Sequence, residues 1–248
     1  MWVEHLSNPV FWFSLCALIG AGCGLIAAHL GQSVPVRMKR EWDEMTQDYL
    51  VERGLPKPVF SDLEQGHASR LRQLMLSVCG LGMGLLVAWT SDDLSVGLPL
   101  LGFLMVLLVL SEIDLQAHLL PDAGVYPLLW AGLILSAFGL GVPLEDAVLG
   151  AAGGYGALWL MHTGVHIVSG RDAMGFGDFK LIAAIGAWLG WQPLLLVFVS
   201  ACVLGVVVQI GLRQLSPGRE IPFGPYLTGG TLFVICFGDN VLPWLYLI

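Results

Sequence analysis

Charge is what this sequence has least of. Only 12% of its 248 residues are Asp, Glu, Lys or Arg, about half the roughly 25% usual in a soluble globular domain. With 56% hydrophobic residues there is too little polar surface for a water-soluble particle of this size. Cysteine is sparse as well. Cys16, Cys23, Cys79, Cys202 and Cys236 all fall in apolar stretches, and no C-x-x-C pair occurs, which excludes a disulfide framework and a cysteine-ligated zinc site. No metal is expected. No Lys or Arg precedes the first apolar run and Glu4 is the one acidic residue before it, so that run reads as a retained span and not a cleavable signal peptide. Internal repeats and low-complexity tracts are also missing. Glycine clusters such as Gly20-Ala21-Gly22-Cys23-Gly24 and Gly150-Ala151-Ala152-Gly153-Gly154 are small faces for close helix packing, not nucleotide fingerprints. No nucleic-acid partner is expected.

What the chain does have is long apolar runs. Eight are read, over 11–30, 71–90, 96–113, 123–140, 147–168, 179–191, 193–212 and 226–247. A bilayer core of about 30 Å takes roughly 20 helical residues, and lipid leaves no partner for an unpaired backbone group, so the spans must be helices. The expected fold is an all-α, multi-pass integral membrane protein with about eight transmembrane helices and the lipid bilayer as its surroundings. Three parts follow: a first span in 1–30, a polar loop domain in 31–69 and a membrane core of about seven helices in 70–248. Run 179–191 is short, about 20 Å at 1.5 Å per residue, which leaves open an earlier start or a re-entrant path.

The 11 basic residues are distributed asymmetrically. Arg37, Lys39, Arg40, Arg53, Lys57, Arg70 and Arg72 lie in or beside the 31–69 loop, Arg171 and Lys180 flank the loop before 179–191, and Arg213 and Arg219 lie before the last run. With eight crossings all of these fall on one side, and the positive-inside rule makes that side the cytoplasm. Both termini then face out.

Two carboxylates stand out on that side. Asp114 closes the third run in Ser111-Glu112-Ile113-Asp114-Leu115-Gln116-Ala117-His118-Leu119-Leu120-Pro121-Asp122. Ionisable residues at membrane depth are costly and face a cavity or a partner more often than lipid; the plainer reading, which Glu112 and Asp122 share, is a solvated loop carboxylate. Asp178 lies in Met174-Gly175-Phe176-Gly177-Asp178-Phe179-Lys180-Leu181. An Asp before an apolar run is a favoured helix N-cap, whereas Gly175 and Gly177 allow the close approach or positive φ that an active-site turn uses. Runs four and five form an out-and-back hairpin between the two, returning both aspartates to one face. Two carboxylates brought close share a proton and titrate as a pair. Such a pair suits peptide hydrolysis, with one carboxylate activating water and its protonated partner polarising the carbonyl and protonating the leaving amine. His162 and His166 share a helical face, but no Glu follows His162, so the zinc-protease H-E-x-x-H pattern is incomplete and interfacial histidines are the better reading. His118 is close enough to Asp114 to orient it or to contact a substrate.

Four ordered blocks carry a resemblance: Ile113-Asp114 with Leu120-Pro121-Asp122; Met174-Gly175-Phe176-Gly177-Asp178-Phe179-Lys180-Leu181; Gly186-Ala187-Trp188-Leu189-Gly190-Trp191; and Ile221-Pro222-Phe223-Gly224-Pro225-Tyr226-Leu227. In these the chain resembles the type 4 prepilin leader peptidases, intramembrane aspartic proteases of the GxGD class. The resemblance implies that Asp114 and Asp178 are the catalytic pair, supported by Gly175, Gly177 and Lys180. It further implies an inner-membrane enzyme that removes the short basic leader of type IV prepilins or type II secretion pseudopilins at the cytoplasmic face. Pro35-Val36-Arg37-Met38-Lys39-Arg40-Glu41-Trp42 looks like the start of the family's cytoplasmic loop, but the two C-x-x-C zinc pairs that most members have there are missing. Long-form members also N-methylate the new amino terminus with S-adenosylmethionine, and the loop's presence favours that second activity here. Glu112, His118 and Asp122, with the loop carboxylates Glu41, Asp43, Glu44 and Asp48, are candidate contacts for a basic leader; Lys180 suits an acidic substrate residue or an anchoring role. A different class, a proton-coupled transporter using the same carboxylates, is opposed by their position at one face and the lack of repeat symmetry.

Overall fold

The structure is a computed structural model that describes residues 9–52, 70–91, 94–170, 174–211 and 221–245, with side chains over 11–41, 70–91, 94–170, 174–211 and 221–237. Eight helices and no strand make up the described residues: α1 Pro9–Glu52, α2 Arg70–Thr90, α3 Leu94–Ala117, α4 Asp122–Ala137, α5 Leu144–Ser169, α6 Phe176–Leu189, α7 Leu194–Gly211 and α8 Gly224–Leu245. Four of them are long and apolar enough to cross a bilayer, over Phe11–Glu41, Arg70–Thr90, Leu94–Ala117 and Leu194–Gly211, and α4 and the described part of α8 are shorter apolar helices. Large side chains such as Leu71, Leu74 and Val78 on α2, Leu160, Ile167 and Val168 on α5 and Val203, Val206 and Val207 on α7 are exposed. An outer surface this apolar suits lipid tails, not water. The chain is an all-helical, multi-pass membrane protein.

Helices meet where glycine lets backbones touch. A Cβ on Gly20 would overlap the Gly80 carbonyl, one on Gly24 the Leu76 carbonyl and one on Gly84 the Cys16 carbonyl; the falling partner numbers make α1 and α2 antiparallel. Gly150 and Gly186 join α5 to α6 in the same way, and Gly230 brings α8 onto Val197 of α7. Buried on most sides are α3, through Leu101, Phe103, Leu104, Leu107 and Leu110, and α6, through Phe179, Leu181, Ile185 and Ala187. Phe103 stacks on Trp188 at 4.8 Å between ring centroids, and the Trp188 indole donates to the Leu128 carbonyl of α4 at 2.8 Å. These two enclosed helices carry the two aspartates.

Several boundaries differ from the apolar runs. Helix α1 continues through Pro35 to Glu52, so the first run and the charged segment after it form one helix. Arg53, Lys57 and the rest of the loop to Ser69 lie outside the described residues, as do Arg171, Arg213 and Arg219. Helix α6 begins three residues before the apolar run and stops at Leu189, where Gly190 takes φ 83°. Helix α4 stops at Ala137 ahead of Gly139 at φ 72°.

Candidate active site

Antiparallel packing sends the C-terminal end of α3 to the N-terminal ends of α6 and α8. Asp114, in the last turns of α3, is 4% exposed, and Asp178, in the first turn of α6, is 9% exposed. Gly175 is the residue before the first helical position of α6, with φ −72° and ψ 146°, so Asp178 stands at the third helical position and is not the N-cap that its sequence context offered. From there its carboxyl reaches back to the Gly175 backbone N–H, the return half of a capping box. The charge of Asp114 acts directly on Asp178.

Asp114 is held from a third helix. The backbone N–H of Gly224, the first residue of α8, donates to Asp114 Oδ2 at 2.8 Å within the buried core. Three residues earlier on α3, Ser111 Oγ and Thr228 Oγ1 of α8 are 2.6 Å apart and buried, which fastens the same two helices one turn deeper. His118 ends α3: its N–H donates to the Asp114 carbonyl at 2.8 Å, its φ of 53° is unusual for a residue with a Cβ, and its imidazole acts electrostatically on Asp114.

The glycines of the 174–181 turn work through space and not through positive φ. A Cβ on Gly177 would stand 3.0 Å from Leu120 Cβ, so its absence lets α6 close onto the Leu120-Pro121 entry to α4. A Cβ on Gly175 would meet Asp178 Oδ2 at an ordinary 3.7 Å. Lys180 Nζ donates to Asp122 Oδ1 at 2.7 Å and lies 5.3 Å from the Tyr126 ring centroid, joining the first turns of α6 and α4 at a partly exposed position. Two enclosed carboxylates, each with a backbone N–H donor and one bearing on the other, are an arrangement that can hold and pass a proton.

The sequence profile of the type IV leader peptidase family matches residues 101–210, a stretch holding both aspartates. A protein of Pseudomonas putida named prepilin leader peptidase/N-methyltransferase is 34% identical over 97% of this chain and 96% of its own length. This chain belongs to the type IV leader peptidase family. A protein of the same name from Stutzerimonas stutzeri is 33% identical over 96% of each chain, and one from Aeromonas salmonicida is 44% identical over 56% of this chain and 49% of its own. No solved structure matches the chain.

Within this leader peptidase the remaining candidates occupy distinct places. Glu112 is 2% exposed, paired with Arg72 Nε of α2 at 2.6 Å and accepting from Gln116 Nε2 at 2.8 Å, while a Cβ on Gly31 of α1 would overlap its Cγ. It faces the α1–α2 hairpin, away from Asp178. Asp122 is half-exposed beside Lys180. His162 is buried against Phe176 and Phe179, with ring centroids at 5.4 and 5.5 Å, behind the turn that presents Asp178; His166 is exposed next to it. Glu41 lies at the end of the described side chains of α1, and Asp43, Glu44 and Asp48 fall beyond them. Residues that sequence reasoning left without a role are Gly224, Ser111 and Thr228. The Gly224-Pro225 pair opening a helix was a usable signal, because proline is favoured in the first turn.

Proposed function

We propose that this protein removes the short basic leader from type IV prepilins or type II secretion pseudopilins, with Asp114 and Asp178 as the catalytic dyad, and then N-methylates the new amino terminus. The observation that carries the peptidase reading is the enclosure of both carboxylates at one end of the bundle, where Asp114 acts on Asp178. Its support from relatives is their shared name, prepilin leader peptidase/N-methyltransferase; the transport reading gains nothing from them.

In this reading one carboxylate takes a proton from water as it attacks the scissile carbonyl. The protonated partner donates its proton to the carbonyl oxygen; as the resulting diol collapses, the carboxyl that took the proton from water gives it to the leaving amine, and the diol hydroxyl returns a proton to the partner, which resets the pair. A site closed within α3, α6 and α8 excludes bulk water and keeps the two groups coupled. The partly exposed Asp122–Lys180 pair joins the starts of α4 and α6 beside Asp178 in the chain, with Asp122 offered to a basic leader and Lys180 to an acidic residue of the substrate. The methyl donor is S-adenosylmethionine, a substrate of the second reaction, which we place at the same face with the 31–69 segment.

The enzyme is placed in the inner membrane with the dyad toward the cytoplasm and both termini outside. Supporting this, Arg72 and Lys180 gather at the Asp114 end of the bundle, and a basic end faces the cytoplasm. Incubating the purified protein with a full-length prepilin, with and without S-adenosylmethionine, and reading the product by mass spectrometry tests both reactions. Expected are a leaderless pilin in either case and one added methyl group only with the donor. An intact prepilin from a well-folded preparation contradicts the peptidase reading, and a leaderless product that never gains a methyl group contradicts the second activity alone.

A further inference from the structure

Among the N–H groups of the first turn of α8, one is singled out. Tyr226 and Leu227 donate to the Phe223 carbonyl at 3.1 and 3.0 Å, and Pro225 has no N–H to give. The N–H of Gly224 is left over, one of the orphan donors that every helix start presents, and it points at Asp114 Oδ2. Its reach depends on the missing side chain, since a Cβ on Gly224 would lie 2.9 Å from Oδ2 and 3.3 Å from both Cβ and Cγ of Asp114.

We propose that Gly224 is a positioning residue of the peptidase reaction, its backbone N–H fixing Asp114 Oδ2 as an unprotonated acceptor so that Oδ1 is the oxygen that meets water and Asp178. The inference rests on the reading of Asp114 as catalytic. A backbone N–H only donates, so the oxygen it holds cannot carry the shared proton toward it. The Gly175 N–H holds one oxygen of Asp178 in the same way, so the proton moves between Asp114 Oδ1 and the other oxygen of Asp178, and water is presented to a defined oxygen. The buried Ser111–Thr228 contact sets the distance between α3 and α8 at which this bond forms. A sequence Gly-Pro at a helix start thus delivers a single donor, with no second N–H beside it to compete for the carboxylate.

The direct test replaces the Gly224 amide by an ester, incorporating glycolic acid at position 224 by nonsense suppression, which removes the N–H and adds no atom to clash. Wild type, D114N and the ester variant are assayed on one prepilin, with thermal unfolding in detergent measured alongside. Expected is a fall in kcat of about 10- to 100-fold, the consequence of losing one hydrogen bond to a charged group, with KM within two-fold of wild type. Gly224→Ala, as a second variant, is expected to lose about 100-fold in kcat, as a displaced catalytic group does. A folded ester variant with wild-type kcat overturns the inference while leaving the dyad intact. Cleavage by D114N, or none by wild type, instead overturns the peptidase reading on which it rests. A loss confined to KM, or matched by a lower unfolding temperature, makes Gly224 a packing residue only.

Discussion

Glu112 lies two residues before Asp114, and a helix turns about 200° between them, so two carboxylates close in sequence serve different neighbours. Glu112 meets Arg72 and Gln116 within the α1–α2–α3 contact, whereas Asp114 meets Gly224 and bears on Asp178. Removing Arg72 takes the cation from a carboxylate that is 2% exposed and leaves it the Gln116 amide, and the Arg72 side chain is itself 35% exposed and screened accordingly. Arg72→Met is expected to destabilise the protein by roughly 2–3 kcal/mol, below the loss for a fully enclosed pair, while the cleavage rate of the folded fraction stays near wild type. Unfolding in detergent and a rate normalised to folded protein check this; a large loss of rate at unchanged stability would return Glu112 to the substrate path. The two buried aspartates stood out in sequence because carboxylates are rare in an apolar chain. The Gly224 donor was not, because a backbone amide leaves no mark on residue identity and its target lies over a hundred positions away.

Elements repeat this division between what pattern reveals and what packing decides. Apolar runs located every described helix, but the ends followed conformation. Gly139 and Gly190, both at positive φ, stop α4 and α6 inside stretches that remain apolar, and Phe176-Gly177 join α6 although glycine weakens a helix. The early start of α6 matters most, because it moves Asp178 from a cap to the third helical position and buries it. The glycines of α1 and α2 fall into two classes that spacing alone cannot separate without knowing which face meets the partner. Gly80 faces the α1 backbone, while Gly82 has nothing within 4 Å of an added Cβ. Gly80→Ala forces the helices apart and is expected to destabilise by about 1–3 kcal/mol, the usual range for overpacking. Gly82→Ala is expected to be neutral or to stabilise by up to about 1 kcal/mol through helix propensity. Thermal unfolding of the two variants side by side decides it, and equal effects would contradict the α1–α2 seam.

At the scale of the whole molecule, the eight described helices collect the ends of α3, α5 and α7 and the starts of α2, α4, α6 and α8 at one end. Asp114, Asp178, Arg72 and Lys180 all lie there. The expectation from sequence that alternating crossings collect the basic residues at one end agrees with where Arg72 and Lys180 lie. Which helices touch was not legible, because an apolar lipid-facing surface and an apolar packed surface use the same residues; only glycine contacts and the few buried hydroxyls distinguish them. A compartment-specific reporter fused after Ile248 is expected to be active outside the cytoplasm and one inserted in the 31–69 segment inside it; the reverse result would invert the placement of the site. The central claim, that Asp114 and Asp178 form one catalytic unit, is met most directly by the prepilin mass assay on Asp114→Asn and Asp178→Asn, each shown to accumulate in the membrane. Each single variant is expected to leave the leader in place, with activity reduced by at least about 1,000-fold. A leaderless pilin produced at near wild-type rate by either variant would contradict the dyad.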